Sequence, residues 1–467
     1  MPRAREERAS CTSQRRSRAV STHAEFREVA RDVLRDEHAQ NALATGTARL
    51  REGRLRAWAS ADDIEALRER GRAIRTATIR DLDRHLDTFA AAVTARGGVI
   101  HRTSTAAEAA EAVVGICRTA GARLVGKSKS MATEEIRLNQ ALEAAGLEVV
   151  ETDLGEYLMQ MRGEHPQHIV VPAIRLTRDD AAEALGVAPD MEELMRTARQ
   201  RLHEVFRTAD VAVTGANFAV AETGSICLVT NEGNADLLTA LPRMHVVVLG
   251  MERLVPTLAE LAPLLRLLAS SATGERLTTY TTLITGPRRT GEIDGPEELH
   301  VVVIDNGRSA LRDTRYAEML NCIRCGACLN VCPVYRKTGG QAYSDIYSGP
   351  MGAVLVPLLS RLERSHDLPH ASSLCGACTE ACPVGIPLPE LLLDLRRDLV
   401  ERGVASRVER IAFTVWSYAW SFTVGYRLTT TLARLGRRLA PLVGPGRVWS
   451  RGRELPTFAR RRFRDRR

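Results

Sequence analysis

NCIRCGACLNVCPVYR, residues 321–336, sets four cysteines at a spacing that few folds can use. Cys322-x2-Cys325-x2-Cys328-x3-Cys332-Pro333 matches bacterial-type ferredoxins, in which the fourth cysteine of a run ligates the other of two clusters. The two-residue spacers let the backbone wrap one corner-sharing cube, and small Gly326 and Ala327 permit close approach. The last spacer and its proline turn the chain away and carry the fourth thiolate toward a second site. A structural zinc would take C-x2-C pairs from two loops and leave the third cysteine and the proline without a use.

Fifty residues on, SSLCGACTEACPVGIP (372–387) repeats the pattern with its first cysteine missing. Laid over the first run, Cys375, Cys378 and Cys382 fall on Cys325, Cys328 and Cys332, Pro383 falls on Pro333, and Ser372 falls on Cys322. The crossing rule then gives one complete set, Cys322, Cys325, Cys328 and Cys382. The other set is Cys332, Cys375 and Cys378, with its fourth corner facing Ser372. Three arrangements fit that corner: ligation by the serine oxygen, a fourth iron held by water or another group, or a [3Fe-4S] species. We expect two [4Fe-4S] clusters, the second with three cysteine ligands and one differentiated iron. The plainer alternative has Ser372 capping its loop while a nonlocal residue completes the set.

The rest of the composition agrees with a long globular chain. Of 467 residues, 44% are apolar and 26% charged, which argues against global disorder and for two or three domains. Ten cysteines with seven in two tight runs read as metal ligands in a reducing compartment, here the cytoplasm, rather than as a disulfide scaffold. The opening MPRAREERASCTSQRRSRAV is basic but has no apolar core segment, so it reads as a frayed tail and not as a secretory signal. The net charge of +8 is concentrated at the ends, notably RRRFRDRR (460–467). No helix-turn-helix, zinc-finger or aromatic RNA-binding signature accompanies it, so nucleic acid is not an expected partner.

Residues 1–75 read as this tail followed by a charged helical segment. From 76 to 305, helical and strand signals alternate. Helices are expected at TIRDLDRHLDTFAAAVTARGG (78–98), TAAEAAEAVVGICRTAG (105–121) and TEEIRLNQALEAAG (133–146), the last with Thr133 as N-cap. Strands are expected at VIHR, ARLVG, LEVVETD, HIVVPAI, VAVTGAN, SICLVT, HVVVLG and LHVVVID. Several are continuous apolar runs, as in a sheet covered on both faces, so the fold class is α/β with a mostly parallel sheet. Residues 306–403 form an α-helical two-cluster segment, and 404–467 a helical, aromatic extension with the arginine-rich tail. Within it, IAFTVWSYAWSFTVGY (411–426) is shorter than the roughly 20 residues a bilayer span needs. It reads as a buried or partner-facing helix, with peripheral membrane contact as the alternative.

GARLVGKS (121–128) satisfies the letters of a P-loop, but a helix precedes Gly121 and the residues between the glycines are themselves the expected strand, so it is no nucleotide site. The turn after that strand still brings Lys127 and Lys129 toward a helix start, where an anion is favoured. Turns AETGS (221–225) and NEGN (231–234) are expected as the opposite lip, with Glu222 as a candidate base. Lys127, Lys129 and Glu222 are thus the weak catalytic candidates. Cys117 and Cys227 read as core residues.

KSKSMATEEI (127–136), AETGS, YSGPMGAV (347–354), ELP (454–456) and the four-plus-three cysteine pattern together resemble the LutB family, the iron–sulfur proteins of the bacterial lactate-utilisation system. The resemblance runs from about residue 22 to the tail. It implies a phosphosugar-isomerase and CoA-transferase-like layered domain (the LUD type) joined to a helical ferredoxin-like domain. It also implies ligation by all seven cysteines, and action with LutA-like and LutC-like proteins in oxidising L-lactate to pyruvate. It names neither an electron acceptor nor a catalytic residue. An electron-relay subunit is therefore the leading expectation. The alternatives are a subunit serving another 2-hydroxy acid, an enzyme in its own right with its pocket in 76–305, and a cluster-based redox sensor or binding module.

Overall fold

A computed structural model describes residues 26–343, 346–360, 362–404, 407–436, 457–459 and 461–465. The basic tail at 1–20 and the ELP segment lie outside the described residues. Two compact units are formed, residues 1–396 and 397–467.

The first unit is built on a six-stranded sheet. Its strands are β1 (Val99–Thr103), β2 (Leu124–Lys127), β3 (Glu148–Glu151), β4 (Val211–Thr214), β7 (Met244–Gly250) and β10 (Glu298–Ile304). Their order is β1-β10-β7-β4-β2-β3, and every neighbouring pair is parallel. The continuous apolar runs have the expected cause. In HVVVLG, Val246 and Val248 pack with Val113, Ile116 and Leu142 on one face, while Val247 and Leu249 pack with Leu86, Phe89 and Val93 on the other. Successive strand residues alternate faces, so a sheet covered twice needs apolar residues at every position. Each of these fully buried side chains contributes about 1.5–3 kcal/mol. Cys117 and Cys227 belong to this core, and burial pushes both thiols up to about 12.

A second sheet, β8-β5-β6-β9, comprises β5 (Phe218–Val220), β6 (Ser225–Thr230), β8 (Leu254–Val255) and β9 (Tyr280–Ile284). The segment read as helical before residue 76 forms the helices Phe26–Arg35, Glu37–Ala59 and Ile64–Arg80, and Leu82–Ala95 follows, so the helix expected at 78–98 is divided at Asp81. Arg75 ties the third of them to the rest of the unit. Fully buried, it donates to the carbonyls of Leu254 (2.8 Å), Leu320 (3.0 Å), Asn321 (3.4 Å) and Glu252.

Two local expectations are corrected. Residues 133–146 are not one helix but two, Met131–Glu135 and Leu138–Ala144, parted by Arg137 at φ 52°. Ser130 supplies the cap, and Thr133 turns inward, its hydroxyl accepting from the buried Lys127 Nζ at 2.9 Å. HIVVPAI (168–174) is no strand but an irregular loop laid against the cysteine-bearing segment. The Gln167 carbonyl accepts from the Tyr335 hydroxyl at 2.8 Å, and a Cβ on Gly340 would come within 2.1 Å of that same oxygen. Only glycine allows so close an approach.

The second unit contains the helices Arg407–Ser421 and Thr423–Gly436. The expected single aromatic helix is thus broken at Phe422, and Phe413, Trp416 and Tyr418 are exposed. Among the described residues, no helix is long and apolar enough to cross a membrane.

Candidate iron–sulfur centre and adjoining crevice

The two cysteine loops share one backbone. Arg324 and Leu374 have φ of 61° and 54°, Gly326 and Gly376 have φ of 74° and 85°, and short helices follow at Ala327–Val331 and Ala377–Ala381. Holding a non-glycine residue left-handed costs about 1–3 kcal/mol. The conformation turns backbone N–H groups onto the cysteines, a nest suited to an anionic centre. Direct N–H···S contacts run from Tyr335 to Cys332 at 3.5 Å and from Ile386 to Cys382 at 3.4 Å.

The loops come together crosswise. Cys322, Cys325, Cys328 and Cys382 line a single cavity, with Ile169, Met351 and Val384 among its apolar walls. Cys332, from the first run, instead interacts electrostatically with Cys375 and Cys378 of the second. Burial pushes the Cys378 and Cys382 thiols up to about 12 and about 11 and drives Cys325 and Cys328 still higher. Cys375 is exposed, and the Ser373 side chain and the Ala377 N–H hold its thiol below the usual range. Among the described residues, no three His, Cys, Asp or Glu side chains converge tightly enough on one point to hold a single metal ion. The four thiols instead surround a void, as a multi-iron cube would require, and the donor set fits a [4Fe-4S] group. At the second set, Ser372 Oγ accepts from the Leu374 N–H at 3.1 Å and so caps its own loop.

A second cavity, of about 390 Å³, opens at the carboxyl ends of β2, β4 and β7, where Ser128, Gly215 and Gly250 line it. Ligand crevices of open parallel sheets form at such strand ends. The far wall is contributed by the cysteine segment: Arg324 and Ile169 border both this crevice and the four-thiol cavity. Around Arg324 lies a buried charge network. Its Nη2 meets Glu252 at 3.2 Å, and its guanidinium lies 4.3 Å above the Tyr347 ring. Glu252 also accepts from Arg308 Nε at 2.6 Å. Burial would raise the Glu252 carboxyl, but Arg308, Arg324 and Arg253 override it and hold the group down to about 2. Arg308 grips Glu135 through two nitrogens at 2.9 and 2.7 Å, and the Tyr347 hydroxyl donates to Glu135 at 2.6 Å.

The three weak candidates are scattered. Lys127 is fully buried and does not line the crevice; its Nζ meets Glu134 and Glu151, each at 2.7 Å. It is a counter-ion for buried acids and has no free valence for an exogenous anion. Lys129 does line the crevice and donates to the Val170 carbonyl at 2.5 Å. Glu222 is exposed and outside the crevice, accepting from the Leu258 N–H at 2.6 Å. Of the two expected lips only NEGN is present, through Asn231, Glu232 and Asn234. Sequence reasoning did not find Arg253 or Arg308, and Tyr347 was quoted in YSGPMGAV without a role. Arg324 lay in plain view inside the quoted motif, distinguished only by the Leu374 that takes its place in the repeat.

Together these features define an iron–sulfur protein whose cysteine segment closes a parallel α/β crevice. Family profiles agree: residues 86–304 match the LUD domain, 318–386 the 4Fe-4S dicluster domain, and 396–467 the C-terminal region of lactate utilisation protein B. Proteins named lactate utilization protein B from Bacillus thuringiensis (strain Al Hakam) and Bacillus cereus (strain AH187) are 45% identical over 454 residues, covering 94% of this chain and 96% of each relative. The chain belongs to the lactate utilization protein B family. A solved DUF162 family protein from Deinococcus radiodurans is 17% identical, covering 48% of this chain and 98% of its own, with a TM-score of 0.28.

Proposed function

We propose that this chain is the electron-relay subunit of a cytoplasmic complex that oxidises L-lactate to pyruvate, working with LutA-like and LutC-like proteins. The observation that supports it is the arrangement of the cysteines, with Cys322, Cys325, Cys328 and Cys382 lining one cavity and Cys332, Cys375 and Cys378 near enough to interact electrostatically. Cys322, Cys325, Cys328 and Cys382 would hold one [4Fe-4S] cluster, and Cys332, Cys375 and Cys378 the other. Such groups supply reversible one-electron storage at potentials set by hydrogen bonding and exposure. The residues grade the two positions. The first set is largely buried, whereas Cys375 opens the second to solvent, the side from which a partner would exchange electrons. Ser372 leaves the second set one thiolate short. Its oxygen is engaged by Leu374, which favours a loop-capping role.

The test is anaerobic absorbance and EPR on addition of L-lactate, with the chain alone and then with its candidate partners. Reduction only with partners is the expected result. Reduction of the isolated chain would overturn the subunit reading and place the chemistry in its own crevice. Failure to reduce in either mixture would overturn the lactate assignment.

A further inference from the structure

We infer that the crevice behind the first cysteine set is a small-carboxylate site, with Arg324 and Arg253 as its cationic wall, and that occupancy of this site is coupled to the redox state of the first cluster. The inference rests on the proposed cluster at Cys322, Cys325, Cys328 and Cys382.

Three observations carry it. Arg324 is 9% exposed and borders both cavities, yet its Nη1 is buried without a hydrogen-bond partner. A buried donor left unmade costs about 1–3 kcal/mol, more when charged, so this position favours an incoming acceptor. The charges around it face two ways. Arg253, Arg308 and Arg324 meet Glu135 and Glu252, both of which engage Arg308. Arg253 and Arg324 face the Cys322 thiol on one side, where the proposed anionic cluster would answer them, and line the crevice on the other. The acids elsewhere in the crevice, Asp153 and Glu232, are otherwise engaged: Asp153 accepts from the Glu156 N–H at 3.1 Å and Glu232 from the Leu154 N–H at 3.5 Å. Finally, the repeat supplies an internal control. Leu374 adopts the same left-handed conformation in the second loop, so the fold of the loop does not require an arginine.

The ligand class follows from the donors and the proposed reaction. A planar guanidinium fork matches a carboxylate or a phosphate in two-point contact and gives a halide only its charge. The small carboxylate is chosen because it is the ligand class of the proposed reaction, and phosphate is the comparison that tests the choice. The coupling follows from sharing. Arg324 sits between two cluster cysteines, and Arg253 Nη1 donates to the Cys322 carbonyl at 3.4 Å. A bound carboxylate neutralises charge that would otherwise favour an added electron, so it should bind the oxidised chain more tightly and lower the first cluster's potential.

The experiment uses the full chain with reconstituted clusters. Pyruvate binding is measured by calorimetry, with inorganic phosphate and chloride as comparison anions, and EPR-monitored redox titrations are run with and without pyruvate. We expect pyruvate to bind with about tenfold preference for the oxidised form, within the usual range for coupled sites. For a one-electron couple, that tenfold preference equals a shift of about 59 mV to lower potential. The other cluster should not move. Arg324→Leu copies the second loop and should lose binding at least tenfold and abolish the shift while keeping both cluster spectra; Arg253→Gln should weaken binding with the clusters intact. Undiminished binding in both variants, no pyruvate binding by the wild type, or equal preference for phosphate overturns the proposal. A wild type without a four-iron signal would overturn the cluster assignment instead, and it would take the coupling with it while the binding measurement still judged the arginine site.

Discussion

Replacing Arg75 with methionine should unfold the first unit far more readily than any exposed arginine change. The side chain is fully buried on the helix Ile64–Arg80, and burial pushes its guanidinium down to about 10 despite nearby Glu252. Its contacts are four main-chain carbonyls, two on β8 and the segment before it, and two in Leu320 and Asn321 directly before Cys322. Hydrogen bonds from a charged donor contribute about 1.5–3 kcal/mol each, or roughly 6–12 kcal/mol for four. The fall from 12.5 to about 10, the net of burial and the neighbouring charges, corresponds to a penalty on the charged form of about 3 kcal/mol. Even the low end of the first figure leaves a net contribution of about 3 kcal/mol. Methionine keeps helix propensity and much of the volume but offers no donor, so the four carbonyls are orphaned. Chemical denaturation followed by circular dichroism should show a loss of at least about 3 kcal/mol. Arg80→Met, which removes an exposed side chain paired with Asp81 at 3.1 Å, should leave the curve in place. Coincident curves for the two variants would refute the clamp.

Exchanging single cysteines tests the crossing. Cys382→Ala should remove the signal of the buried cluster although it lies in the second run, and Cys332→Ala should remove that of the exposed one; the opposite assignment would restore uncrossed ligation. Ser372→Cys restores an eighth thiol where a hydroxyl now accepts from the Leu374 N–H at 3.1 Å. The second cluster's EPR spectrum should change if its fourth corner faces this residue, and an unchanged spectrum would assign Ser372 to loop capping alone. His245 is fully buried on β7, and burial lowers its imidazole from 6.5 to about 3. Because the folded value lies below the unfolded one, its contribution is complete above pH 6.5 and is lost as pH falls toward 3, at up to about 1.4 kcal/mol per unit. Stability measured across that window should flatten in His245→Asn.

What the sequence disclosed and what it concealed differ in range. Ligand spacing is local, so the two cysteine runs could be read directly, and the crossing of Cys332 to the second was an expectation drawn from the same spacing. The same holds for HVVVLG and LHVVVID, since an uninterrupted apolar run reports a doubly covered strand wherever it lies. HIVVPAI has a similar composition yet covers the cysteine segment as a loop, its His168 meeting Asn330 at 3.1 Å and the Tyr335 ring rather than another strand. The break at Arg137 was hidden for a similar reason: the buried Lys127 draws Thr133 and Glu134 inward, a demand that no periodicity in 133–146 expresses. Lys127 itself misled because the last residue of a strand can face either layer, and here it faces the acids. The arginine wall was invisible for want of proximity, since residues 253, 308 and 324 meet only after the sheet is built.

The repeat explains why one chain can present two different ends. A symmetric pair of loops would give two sites with equal surroundings, which would ill suit the relay proposed above, since such a relay takes electrons on one side and releases them on another. Here the backbone is held constant, with matched left-handed residues at 324 and 374 and matched glycines at 326 and 376. Two side-chain differences then separate the copies. Arginine in place of leucine turns the first loop toward a charged crevice, and serine in place of cysteine leaves the second, solvent-facing set with three thiols. Neither exchange disturbs the loop conformation, because neither side chain is what the left-handed turn demands. The asymmetry is therefore chemical rather than structural. It follows that Arg324→Leu and Ser372→Cys, made together, should yield a chain that still folds and still assembles both sites, but whose cluster potentials lie closer together than in the parent.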